Sequence, residues 1–86
     1  MPTEKRIATT LILIESKESI NRMNSIISDF SHLIIGRQGI PLHERKMSII
    51  SLVLEGTADE IGAFAGQTGR LKGINVKTAM LKNNKN

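Results

Sequence analysis

His32 and His43 are the only histidines in the chain, and no cysteine accompanies them. A metal centre needs several nitrogen, sulfur or carboxylate donors converging on one point, and neither histidine has a second ligand at i+2 or i+4. Both are read as solvated loop residues. Glu44 beside His43 leaves that histidine a lesser reading, as a hairpin-tip ligand for an anion or metal, shared between subunits. Without thiols, disulfides and cysteine nucleophiles are excluded. Arg37 stands between Gly36 and Gly39, where a guanidinium can meet a carboxylate or phosphate, or pair across a subunit boundary. The competing explanation is an outward charge on an edge strand, which discourages aggregation. Glu15 and Glu55 each close a strand before a helix, and a first-turn complement to the helix dipole explains both. Gly66-Gln67-Thr68-Gly69 lacks the lysine and the preceding strand of a phosphate loop and is read as helix-end punctuation. No catalytic set emerges, and no metal or cofactor is expected.

The elements that would carry these residues follow from periodicity. Arg6 to Ile14 is aliphatic and β-branched, with no turn former, and predicts a strand. Ser16 is placed as the N-cap of a helix in which Ile20, Met23, Ile27 and Phe30 recur at steps of three and four. Leu33 to Gly39 predicts a second strand. Ile40 to Lys46, with Pro41 and several polar residues, is taken as the hairpin connection to a third strand, Met47 to Leu54. Thr57 and Glu60 have capping-box spacing, and Ile61, Phe64, Ala65 and Thr68 form the stripe of a second helix running to about Arg70. Gly62, Gly66 and Gly69 weaken that helix by ~1 kcal/mol each relative to alanine. Close approach of a neighbour at Gly62 and Gly66 is the expected return. Gly73 turns the chain into a last strand, Ile74 to Leu81.

This order predicts one α+β domain over residues 1–86, with flexible tails at 1–5 and 82–86. Right-handed crossovers make it a ferredoxin-like βαββαβ sandwich, a four-stranded antiparallel sheet with two helices on one face. The other sheet face has no cover. A strand with one wet face should alternate apolar and polar residues, yet the first and third strands are aliphatic in both phases. One phase holds Ala8, Thr10, Ile12 and Ile14 with Ser48, Ile50, Leu52 and Leu54. The other holds Ile7, Thr9, Leu11 and Leu13 with Met47, Ile49, Ser51 and Val53. Either leaves apolar side chains uncovered, and the second set supplies the candidate interface residues. Soluble monomers rarely expose patches beyond ~300–600 Å², so a homo-oligomer, dimer or tetramer, is expected.

Composition narrows the classes further. The 86 residues are 40% hydrophobic and 23% charged, an ordinary globular balance, with Phe30 and Phe64 the only aromatics. No apolar run approaches the ~20 residues of a membrane helix, and Met1 to Arg6 has no signal-peptide character, so a cytoplasmic protein without membrane contact is expected. The net charge of +4 sits mostly at the ends, in Lys5, Arg6, Lys82 and Lys85. Residues 7–81 carry eight basic and seven acidic side chains. A nucleic-acid face needs a clustered basic stripe, which this distribution does not supply.

The segment Ile34-Ile35-Gly36-Arg37-Gln38-Gly39-Ile40-Pro41, with Ser48-Ile49-Ile50-Ser51 and Glu55-Gly56-Thr57-Ala58-Asp59-Glu60-Ile61, resembles the iron-only hydrogenase system regulators. The likeness extends through Gly66, Gly69-Arg70, Gly73 and Val76-Lys77. That family is similar in fold to ACT domains and to the C-terminal half of the nickel-responsive repressors. The resemblance implies a role in transcriptional control of hydrogenase genes, through a small-molecule effector or a partner protein. Within the segment and its hairpin, Arg37, Gln38, Gly39, Pro41 and His43 are the candidate ligand-binding or interface positions. Two departures limit what carries over. Only six residues precede the first strand's apolar run, too few for the repressors' DNA-binding arm, and their nickel ligands have no counterpart here. Two further readings stand beside this one: a DNA-contacting regulator using the terminal lysines with Arg70 and Lys72 of a multimer, and an ACT-like amino-acid-binding domain.

Overall fold

A computed structural model describes residues 4–82. Residues 1–3 and 83–86, which hold Lys85 and most of the expected tails, lie outside the described residues. The chain runs β1 (Arg6–Ile14), α1 (Ile20–Asp29), β2 (Ile34–Leu42), β3 (Met47–Gly56), α2 (Ala58–Gly69) and β4 (Ile74–Met80). The strands form one antiparallel sheet in the order β2-β3-β1-β4, and the two crossover helices cover one face of it. This is the ferredoxin-like arrangement. Among the described residues, no helix is long and apolar enough to cross a membrane.

The core lies between helices and sheet. Ala8, Ile12 and Ile14 of β1, Leu52 and Leu54 of β3 and Ile74 of β4 meet Met23, Ile26 and Ile27 of α1 and Ile61 and Phe64 of α2. Phe64 is fully buried and receives Phe30 edge to face, with centroids 5.4 Å apart. That geometry suits the opposite polarity of ring face and ring edge. Two buried threonines sit within this aliphatic core with their hydroxyls engaged. Thr10 Oγ1 lies 3.0 Å from Thr78 Oγ1, and the Thr68 hydroxyl donates to the Phe64 carbonyl at 2.9 Å. Among the described residues no buried side-chain nitrogen or oxygen lacks a partner.

Three local expectations are corrected. Ser16 does not cap α1: its Oγ accepts the Glu18 N–H at 3.2 Å and caps a 3₁₀ turn, Lys17–Ser19, that precedes the helix. The backbone N–H groups of Glu15 and Ser16 are tied to the Gly73 carbonyl, so the chain turns tightly before the helix opens. Second, β2 continues through Ile40, Pro41 and Leu42, and the turn is confined to a 3₁₀ segment, His43–Arg45, with Lys46 left-handed at φ 55°. β2 is an edge strand, one side of which carries no ladder, so the proline's missing N–H is tolerated there. Third, Gly62 and Gly66 admit no close neighbour. Both are exposed, and a Cβ at either would meet nothing within 4 Å.

Candidate functional site

The strand register decides which aliphatic phase faces water. In β1, Ala8, Thr10, Ile12 and Ile14 are buried under the helices, while Thr9 and Leu11 are exposed. Across the β1–β3 ladder, Thr9 pairs with Val53, Leu11 with Ser51 and Leu13 with Ile49, so these side chains share the open face. Ile7, opposite Glu55, and Met47 complete the set of eight nominated from sequence. Leu11 is 52% exposed and Val53 37%.

Two residues that sequence reasoning missed belong to the same surface. Ile40 pairs with Ile49 and Leu42 with Met47, which extends the apolar strip onto β2. The period-two spacing of Ile40 and Leu42 was the available signal, masked by Pro41 between them. The strip is bounded by polar and charged groups: Gln38 opposite Ser51, Lys77 opposite Leu11 and Asn75 opposite Leu13.

The nominated β2 residues do not form one set. A β-bulge between Ile34 and Gly36 inserts Ile35 as an extra residue. Beyond it Gly36 faces Val53 on the open side, while Arg37 comes opposite the buried Leu52, on the side of the helices. Gly39 and Pro41, opposite Ile50 and Ser48, share that helix side, and Gln38 points to the open face. Arg37 lines an open concavity of about 550 Å³ between the sheet edge and α1, with Asn24, Ile27, Ser28, Ser31 and Ile34.

His43 stands apart, at the hairpin tip. With Pro41, Leu42, Glu44, Arg45 and Ile49 it lines a second open concavity of about 660 Å³. His32 is exposed, stacks on Phe30 and approaches Glu60, its Nε2 lying 3.9 Å from Oε2. Among the described residues no three His, Cys, Asp or Glu side chains converge as a metal site would require. Glu60 is committed to the α2 cap. The Thr57 N–H donates to its Oε1 at 2.8 Å, and this bond holds the carboxyl below its ordinary range.

The basic residues nominated for DNA contact do not gather within one chain, although Lys17 and Lys46 line a common concavity beside the hairpin tip. Arg70 and Lys72 precede Ile74, which pairs with Ile14, whereas Lys5 and Lys82 lie beyond the Ala8–Met80 pair. The seven-residue β4 separates the two groups by roughly 20 Å, at ~3.3 Å per residue.

The sequence matches a family model over residues 6–78, from the first residue of β1 nearly to the end of β4. The chain belongs to the TM1266-like family. That family is described as "Iron-only hydrogenase system regulator, putative". This TM1266-like chain is also similar to the solved structure of the uncharacterised protein TM1266 from Thermotoga maritima. The two share 38% identity at a TM-score of 0.86, over 92% of this chain and 100% of that one. No curated protein matches the sequence. The match spans both helices, the first three strands and β4 as far as Thr78, so the open sheet face and the bulged edge both fall within the TM1266-like unit.

Proposed function

We propose that this TM1266-like chain is a small self-associating regulatory module, acting in the control of an iron-only hydrogenase system by binding a ligand or a partner protein. The observation that carries the reading is the uncovered aliphatic face: Leu11, Val53 and Ile40 exposed, with Leu13, Ile49, Leu42 and Met47 beside them. At ~25 cal/mol per Å², covering a patch of ~300–600 Å² contributes on the order of 10 kcal/mol before association costs. A second copy is the occupant that suits it. A two-fold interface sets the same strip against itself, and the bordering Lys77 and Glu55 offer opposite charges at its rim. The module acts in the cytoplasm, by recognition rather than catalysis. Its influence on transcription passes through a partner, a reading supported within one chain by the placing of Arg70 and Lys72 at the other end of the sheet from Lys5 and Lys82.

Light scattering behind size exclusion tests the assembly. A dimer or tetramer at micromolar concentration is expected, and Leu11→Lys should shift it to monomer with the fold retained by circular dichroism. A monomeric parent protein overturns the self-association. A gel shift on the gene's own upstream DNA, at two salt concentrations, tests the alternative of direct DNA contact. Binding that falls steeply with salt would favour that alternative.

A further inference from the structure

The bulge at Ile35 has a chemical consequence on the helix side of the sheet. Uninterrupted alternation from Ile34 would send Arg37 to the open face, whereas the extra residue brings it opposite the buried Leu52. Bulges commonly re-aim a side chain next to a functional site. Here the re-aimed group is a guanidinium beside a helix flank that carries Asn24 and Ser28 one turn apart, followed by Ser31 in the turn after α1. Ile27 and Ile34 form the apolar part of the lining. At the next helix-side position Gly39 has no side chain, and a Cβ there would meet nothing within 4 Å, so the groove stays open along the strand.

Charge balance makes this concavity unlike the one at the hairpin tip. No acidic residue lines it, and among the described residues the Arg37 guanidinium makes no hydrogen bond or ion pair. An exposed arginine that shares an open concavity with three exposed, neutral hydrogen-bonding side chains, and with no carboxylate in the lining, is complementary to an oxyanion. The planar fork takes two oxygens of a carboxylate or phosphate, and the Asn24 amide and the serine hydroxyls donate to the others. The volume of about 550 Å³ lies within the ~300–1,000 Å³ range of small-molecule sites.

We infer that the groove between α1 and the bulged edge of β2 is a binding site for a small oxyanion, a carboxylate or phosphate carried on a short aliphatic body. Arg37 is the charged anchor, Asn24 and Ser28 are neutral donors, and Ile27 and Ile34 contact the carbon skeleton. The inference rests on the regulatory reading only in calling the bound anion an effector. The site stands or falls on its own chemistry.

The test is nitrogen-15 NMR on the full chain, following the Arg37 Nε–H and the Asn24 side-chain amide. Inorganic phosphate and isovalerate are titrated separately at constant ionic strength. Saturable shifts at both groups are expected, with phosphate alone saturating if the ligand is a phosphate and isovalerate alone if it is a carboxylate. Arg37→Gln should abolish saturation. Arg37→Lys should weaken it at least tenfold, since a lysine keeps the charge and loses the fork. Shifts that rise linearly, that survive Arg37→Gln, or that centre on Lys17 and Lys46 would overturn the assignment. Light scattering on Arg37→Gln separates this result from the assembly: an unchanged oligomer with lost anion binding is the expected pair. A monomeric parent that still binds anions would remove the self-association and leave the site.

Discussion

Gly73 and Ser16 hold the two crossover connections together at one end of the sheet. The Gly73 carbonyl accepts the N–H groups of Glu15 at 2.8 Å and Ser16 at 3.2 Å, and Gly73 itself has φ +74°. A Cβ at position 73 would lie 2.5 Å from the Ser16 Cβ and 3.3 Å from its Cα. Gly73→Ala should therefore destabilise the fold by about 2–4 kcal/mol, from left-handed strain plus a steric clash. Urea denaturation checks this. Adding Ser16→Gly should recover part of the loss, because it removes the 2.5 Å contact while leaving the strain and giving up the Ser16 cap.

The α2 cap predicts an acid limb. Glu60 accepts the Thr57 N–H at 2.8 Å, while the Thr57 hydroxyl accepts the Glu60 N–H at 3.2 Å. The first bond lowers the Glu60 pKa from its ordinary 4.5. A carboxyl lowered on folding contributes stability that is complete above its unfolded value and lost as pH falls through its folded value. Thermal unfolding between pH 7 and pH 3 should show this loss in the parent protein. Glu60→Gln should flatten that limb while retaining a neutral capping bond.

The glycines of α2 predict a stabilisation. Gly62 and Gly66 lie inside a helix with negative φ, exposed, and with room for a methyl group. Alanine at each should add about 0.5–1 kcal/mol by reducing the freedom of the unfolded chain. The double variant should melt several degrees higher. Unchanged or lower melting would overturn the reading of Gly62 and Gly66 as open, unstrained helix positions.

The Thr10–Thr78 hydroxyl pair predicts non-additivity. Thr10 is fully buried and its only side-chain partner among the described residues is Thr78, at 3.0 Å. Thr10→Val should cost about 1 kcal/mol by stranding its partner, and adding Thr78→Val should restore most of it. A double-mutant cycle in guanidinium reads the coupling. Strict additivity would mean the bond contributes nothing.

Much of the fold was legible because its signals are local. β1 begins at Arg6 and ends at Ile14 as its β-branched run implies, and the Thr57–Glu60 spacing produced the capping box it encodes. Ser16 misled because a serine before a helical stripe does not reveal that a tight turn comes first. β2 was read too short because a proline forbidden in a central strand is acceptable on an edge, and edge status depends on strand order. Gly62 and Gly66 were given a packing role that the exposed side of α2 does not require.

The order of elements, the capping box of α2 and the presence of aliphatic side chains in both phases of the central strands belong to the sequence by itself, since each depends on neighbours within a few residues. Which phase the helices cover, and which side of the sheet Arg37 takes, were settled only in the tertiary structure. Both depend on pairing across the sheet. The two phases of β1 are nearly equal in hydrophobicity, so local preference does not choose between them, and a single bulged residue reverses the face of every side chain beyond it.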